Sequence, residues 1–325
     1  MDKASQPTNL LEAVRYFSDP EVALDFVVKL RWPNGVECPS CGGTEHSFLK
    51  TRRIWKCREC KRQFSAKVGT IFEDSPIGFD KWLPAVWLIV NSKNGVSSHE
   101  LGRSIGVTQK TAWFMNHRIR YALRVGSFNK LNGEVEVDET FIGGLARNMH
   151  KAERARKIHG TGGMDKTIVV GTLQRGENGR TSTVRADVVA DRNRPTLHAY
   201  VGHTVQHGAT IYSDQWSGYT GLEADYSHKT VDHAVEYVSG RVYTNGIENF
   251  WALLKRGLKG TYVCAQPYHL HRYIDERVFT FNERSNSDLG RMKATVSQVA
   301  GRRVTWKQLT GKEIVTHDGE LIEVA

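Results

Sequence analysis

Four cysteines and three acidic residues in this sequence have types and spacings that could do chemistry. Cys38-Pro39-Ser40-Cys41 and Cys57-Arg58-Glu59-Cys60 are two Cys-x-x-Cys pairs with fifteen residues between them. Each pair makes a tight knuckle that presents two thiolates, and two knuckles complete a tetrahedral four-sulfur zinc site. The competing reading is a set of redox pairs. The surrounding segment is short and polar, so metal binding is expected to supply its folding energy, about 10–16 kcal/mol for structural zinc in finger peptides. One structural zinc per chain is therefore expected on Cys38, Cys41, Cys57 and Cys60.

The acids are more dispersed. Asp138 sits in Val135-Glu136-Val137-Asp138-Glu139-Thr140-Phe141-Ile142, followed by Gly143-Gly144. Carboxylates resist desolvation unless a cation or a base compensates them. Asp138 is accordingly expected to be the first ligand of a divalent-metal site to which the upstream segments bring DNA. Solvated acids on a half-exposed strand are the plain alternative. Asp214 closes Thr210-Ile211-Tyr212-Ser213-Asp214, and taken alone it reads as a strand-end cap. Glu248 and Lys255 lie seven residues apart in Thr244-Asn245-Gly246-Ile247-Glu248-Asn249-Phe250-Trp251-Ala252-Leu253-Leu254-Lys255. That is close to two helical turns, so both fall on one face, where they could serve a metal and a phosphate or form a surface pair.

The elements that must hold these residues follow from periodicity. The stretch around Asp138 alternates with period two, which places Glu136, Asp138 and Thr140 on one face of a strand. Asp214 ends another strand, where open α/β sheets put their chemistry. Two more strands are expected at 167–173 and 183–189, and Glu248 rides a helix burying Ile247, Phe250, Trp251 and Leu254. Upstream, residues 9–30 read as two short helices, the second opening at Asp19-Pro20. A capping box at Ser97-Ser98-His99-Glu100, a turn at Gly106-Val107 and a Thr108 cap predict a helix-turn-helix whose second helix runs 109–123. Gln109, Lys110, Asn116, His117, Arg118 and Arg120 are expected on its outer surface as donors to DNA. A helical hairpin used only for packing is the alternative. Residues 145–166 form a basic arm, and 286–325 carry no assignable role.

With 45 Lys+Arg against 35 Asp+Glu, the chain has net charge +10 and a pI near 9.4. That balance favours a polyanionic partner. The apolar run over 82–90 is too short to span a bilayer. No apolar signal core opens the chain, so a cytoplasmic, nucleoid-associated protein is expected. Five cysteines there point to metal ligation or free thiols, Cys264 being the unpaired one.

Together, Asp138, Asp214 and Glu248, the last two with 33 residues between them, resemble the DDE triad of ribonuclease-H-like transposases. The words Val137-Asp138-Glu139-Thr140-Phe141-Ile142-Gly143-Gly144, Ser213-Asp214-Gln215-Trp216-Ser217-Gly218-Tyr219 and Asn245-Gly246-Ile247-Glu248-Asn249-Phe250-Trp251 sharpen the likeness. With His269-Leu270-His271-Arg272-Tyr273-Ile274-Asp275-Glu276 and Phe281-Asn282-Glu283-Arg284, they resemble bacterial insertion-sequence transposases of the ISXO type. The resemblance implies an α/β chain whose ribonuclease-H-like mixed-sheet catalytic domain is preceded by a zinc ribbon and a helix-turn-helix. The expected boundaries are 1–32 for N-terminal helices, 33–70 for the ribbon, 78–127 for the helix-turn-helix, 132–285 for the catalytic domain and 286–325 for the tail.

It further implies metal-dependent cutting of element ends in double-stranded DNA and their joining to target DNA by a homodimer or higher oligomer. Asp138, Asp214 and Glu248 would hold two Mg²⁺ or Mn²⁺ ions about 3.5–4 Å apart, and Lys255 would contact a phosphate. In that family an Asn three residues before the Glu competes for the third position. Glu248 is preferred because a charged oxygen binds Mg²⁺ better than an amide; Asn245 is the second choice, or a helix cap. The functional alternative is a non-catalytic zinc-ribbon/helix-turn-helix regulator derived from a transposase.

Overall fold

A computed structural model describes residues 6–124, 129–144, 149–157, 166–177, 179–231, 243–263, 265–311, 313–315 and 321–323. Its elements in chain order are α1 (Leu10–Phe17), α2 (Pro20–Arg31), β1 (His46–Leu49), β2 (Ile54–Cys57), β3 (Gln63–Phe64), α3 (Phe79–Asn91), α4 (Ser98–Ile105) and α5 (Gln109–Leu123). Then come β4 (Glu134–Ile142), α6 (Lys151–Lys157), β5 (Thr167–Gln174), β6 (Thr183–Val189), α7 (Arg194–Thr204), β7 (Thr210–Asp214), β8 (Ser227–Val231), α8 (Asn245–Gly257) and α9 (Leu270–Asn282). The last are α10 (Asp288–Ser297), α11 (Trp306–Leu309), β9 (Glu313–Val315) and β10 (Leu321–Glu323). Two compact units result, Met1–Arg124 with Asn286–Ala325, and Val125–Ser285. Cys264 and most of the basic arm over 145–166 lie outside the described residues.

In the first unit the local signals act as written. Asn9 and Asp19 cap α1 and α2, their side chains accepting backbone N–H groups of Glu12 and Glu21. β1, β2 and β3 form an antiparallel three-stranded sheet behind the cysteines. Ser97 caps α4, Gly106 ends it in the left-handed region at φ +66°, and Thr108 caps α5.

The surface expected of α5 is corrected. Asn116, His117, Arg118 and Arg120 are buried rather than presented to solvent, and only Gln109 and Lys110 of the six donors are exposed. The cause is packing on several sides of the helix. The Arg118 guanidinium donates to the carbonyls of Ile71 (2.9 Å), Glu73 and Val304 (3.0 Å) and lies 4.3 Å from the Phe114 ring centroid. Residues of the 286–311 stretch belong to this packing. Arg291 of α10 donates to Asn91 (2.7 Å), and Arg302 donates to the carbonyls of Tyr121, Ala122 and Arg124, the open C-terminal end of α5.

The second unit is built on a five-stranded mixed sheet of order β6-β5-β4-β7-β8. β4, β5 and β6 are antiparallel, whereas β7 and β8 run parallel to β4. One face buries Val169, Leu173, Val184 and Ala186 under α8 and α9; the other buries Val135, Val137, Val170 and Ile211 under α7. Gly171, paired with Asp138 across β4 and β5, is the close-approach point for α8. A Cβ there would lie 2.6 Å from the Trp251 ring. Gly171→Ala is therefore expected to cost about 1–3 kcal/mol of stability by overpacking, read as a lowered denaturation midpoint; an unchanged midpoint would refute the contact.

Candidate functional site

Register brings the first two acids together. Parallel pairing sets Glu134 opposite Thr210, Val135 opposite Ile211 and Glu136 opposite Tyr212. Two positions further on, the same register carries Asp214 level with Asp138 and on the same face of the sheet, one strand spacing away. β7 ends there, so its carboxylate stands at the open carboxyl end of the strand. α8 crosses this corner with Ile247, Phe250, Trp251 and Leu254 buried against the sheet, leaving its flank to carry Glu248 and Lys255.

These side chains meet around one cavity of about 460 Å³, lined by Asp138, Glu139, Thr140, Asp214, Glu248, Trp251, Ala252 and Lys255. Asn245 is the exposed first residue of α8 and is not among the lining residues. The Trp251 indole N–H donates to Asp138 Oδ2 at 2.9 Å, the Thr244 hydroxyl to Glu248 Oε1 at 3.0 Å, and the Trp216 N–H to Asp214 Oδ1 at 3.0 Å. Each bond leaves carboxylate lone pairs for another partner.

Sequence reasoning missed Glu139, whose odd position puts it on the apolar side with Val135 and Val137. β4 outruns β7, which leaves Glu139 without a strand neighbour on that side. Its carboxylate accepts from the Tyr219 hydroxyl at 2.7 Å and lies 3.8 Å from the Arg192 guanidinium, which stacks 3.8 Å from the Trp216 ring centroid. Nothing in the local pattern signals this; only Tyr219's place in the Asp214 word hinted at proximity.

Crowding of carboxylates shows in their acidities. The Asp138 carboxyl is pushed up to about 7, first by burial, then by the charges of Glu139 and Asp214, against the Trp251 bond that favours ionisation. Burial also raises Glu139, opposed by the Tyr219 bond. Partial burial draws the Lys255 ammonium down, while the Asp138 charge acts to hold it up. Carboxylate oxygens that retain lone pairs are the donors a hard divalent cation takes; as the side chains stand, among the described residues only the four cysteines lie close enough together, within 4.8 Å, to share one ion.

A pH dependence follows for the metal-free protein. The unfolded chain releases the Asp138 proton near about 4, whereas the folded chain keeps it up to about 7. Stability therefore falls as pH rises through that window and stays lower above it. Asp138→Asn is expected to remove the fall, raising the melting temperature at pH 8 by about 5 °C or more, with the gap closing toward pH 4. Parallel melting curves at all pH values would refute the assigned burial.

The cysteines also converge. Cys38, Cys41, Cys57 and Cys60 bring their sulfurs within 4.8 Å of one another, with Cys38–Cys60 and Cys41–Cys57 at 3.7 Å. Sulfurs about 2.3 Å from one tetrahedral ion stand about 3.8 Å apart, so the four are positioned for zinc. Gly42 (φ +76°) and Lys61 (φ +61°) turn the chain back after the two pairs, giving the knuckles matching bends.

Comparison with known proteins covers both sites. A model described as the ISXO2-like transposase domain matches residues 130–282, and one described as the transposase zinc-ribbon domain matches 18–63. The chain is 28% identical over 257 residues to "Uncharacterized protein in transposable element ISH50" of Halobacterium salinarum, an alignment covering 75% of this chain and 85% of that one. Among the described residues no helix is long and apolar enough to cross a membrane.

Proposed function

From the match of residues 130–282 to the ISXO2-like transposase domain and of 18–63 to the transposase zinc-ribbon domain, we propose that the chain is a transposase that cuts transposon ends and joins them to target DNA. The observation that carries this reading is the single cavity shared by Asp138, Asp214, Glu248 and Lys255. Asp138, Asp214 and Glu248 would hold the catalytic metal. What Mg²⁺ or Mn²⁺ supplies when bound, as two ions, is neutralisation of the phosphate and activation of the attacking oxygen.

The protein's own groups do the rest. Trp251 fixes the rotamer of Asp138 by its indole bond, and Thr244 does the same for Glu248. Lys255, a cation on the cavity wall, receives a phosphate oxygen of the cleaved strand. Glu248 serves as the third acid because it lines the cavity and Asn245 does not. The order β6-β5-β4-β7-β8 supports a ribonuclease-H-like reading of the sheet. The capped pair α4 and α5 supports a helix-turn-helix that reads DNA through the exposed Gln109 and Lys110 at the start of α5. Cutting two ends in concert calls for at least a dimer on double-stranded DNA in the nucleoid.

The test is covalent joining. Purified protein, a DNA fragment carrying the element's ends and a supercoiled target plasmid are incubated with Mg²⁺ or Mn²⁺. Metal-dependent joined products are expected. Hydrolysis of RNA–DNA hybrids without joining, or no reaction with any divalent ion, would overturn the proposal.

A further inference from the structure

Glu136 is a buried acid that the mechanism does not use. Glu136 lies two residues before Asp138 on the same face of β4 and is 1% exposed. An isolated carboxylate in that position would be costly, so its partners show what it does. Its Oε1 accepts from Arg175 Nε at 2.8 Å, and its Oε2 accepts the backbone N–H of Ile247 at 2.9 Å. Ile247 is in the first turn of α8, whose own N-cap residue, Thr244, makes no side-chain capping bond to the helix. A strand carboxylate therefore satisfies an open amide of the helix and complements its positive end.

The clamp is braced. Arg175 also donates to the Tyr243 carbonyl at 2.5 Å, just before α8, and lies 4.1 Å and 3.8 Å from the ring centroids of Tyr212 and Tyr243. Gly246 makes room, since a Cβ there would stand 2.8 Å from Glu136 Oε2. The spacing also matches. Glu136 and Asp138, about 6.8 Å apart along a strand, hold Ile247 and Trp251, about 6 Å apart along a helix. Glu248 follows the first of these anchors and precedes the second, so the two bonds together fix where its carboxylate stands.

We infer that Glu136, braced by Arg175, is a positioning residue that sets α8 at the depth where Glu248 meets Asp138 and Asp214. The inference rests on the reading of Glu248 as the third acid. It makes the pocket's metal affinity depend on a residue outside the pocket.

Two variants of the full chain test it, Glu136→Gln and Gly246→Ala. The second removes no buried charge and raises intrinsic helix propensity, so it stands in if the first fails to fold. The readouts are hydrogen exchange at the Ile247 amide and Mn²⁺ binding followed by electron paramagnetic resonance, with Asp138→Asn as the control that loses the ion. Exchange at Ile247 is expected to quicken about tenfold or more and Mn²⁺ affinity to weaken about tenfold to a hundredfold. Unchanged exchange would overturn the clamp. Faster exchange with undiminished Mn²⁺ affinity would reduce Glu136 to a packing role and overturn the inference. Mn²⁺ binding that Asp138→Asn leaves unchanged would instead overturn the acid site itself, and the positioning role with it.

Discussion

Asp138→Asn is expected to reduce metal-dependent end joining by about a thousandfold or more while raising the stability of the metal-free protein. Loss of a ligand that several kcal/mol of transition-state charge stabilisation depend on gives that factor, at about 1.4 kcal/mol per tenfold. Asparagine keeps the volume of the side chain and an oxygen for the Trp251 indole, which donates to Asp138 at 2.9 Å. What it removes is a charge that burial and the neighbouring Glu139 and Asp214 disfavour. Activity and stability should then move in opposite directions, as at sites kept strained for function. A residue that mattered only for packing would lower both. The checks are a plasmid-joining assay and a melt at pH 8; joining within about tenfold of wild type would remove Asp138 from the site.

Chelation of zinc is expected to have the other large effect, and on a different property. The ribbon has few buried side chains of its own, chiefly Cys38, Trp55, Cys57 and Phe64, with Trp32 against Trp55 and Phe64. Such a core cannot offset the chain entropy of its loops, so removing a metal contribution of about 10–16 kcal/mol unfolds it. A strong chelator, or Cys57→Ala, should release one zinc per chain and abolish the circular-dichroism and fluorescence signals of the ribbon. Binding to element-end DNA should fall by about a hundredfold, because the basic side chains clustered around the second cysteine pair, Lys50, Arg52, Lys56 and Arg58, would lose the common scaffold from which they could contact phosphates. Mn²⁺ binding at Asp138 should be unaffected, since the carboxylates proposed to hold the ion belong to the other unit. Two zincs per chain, or end binding that survives chelation, would contradict the four-cysteine assignment.

Several features were legible because they rest on bonds within a few residues. The helix start at Asp19, the caps at Ser97 and Thr108, the turn at Gly106 and the knuckles around the four cysteines are of this kind. Alternation along β4 likewise put Glu136, Asp138 and Thr140 on one face, and helical spacing put Glu248 and Lys255 on one flank of α8. Where long-range packing overrides local pattern, the reading failed. Arg118 and Arg120 have the composition of a DNA-facing surface, yet α5 is enclosed and their charges are buried. The burial of Arg118 depends on carbonyls at Ile71, Glu73 and Val304, far away in the chain.

The chain's local chemistry set the kinds of group available: four thiols at knuckle spacing, acids at a strand centre, a strand end and a helix start, and a family likeness joining them. Which of those groups meet was decided in three dimensions. The parallel register of β4 with β7 brings Asp214 level with Asp138, and Gly171 and Gly246 let α8 approach closely enough for Trp251 and Ile247 to bond to β4. No window of sequence contains those contacts, because each joins residues more than seventy positions apart, and the two bonds of α8 also depend on the absence of a side chain at Gly171 and Gly246.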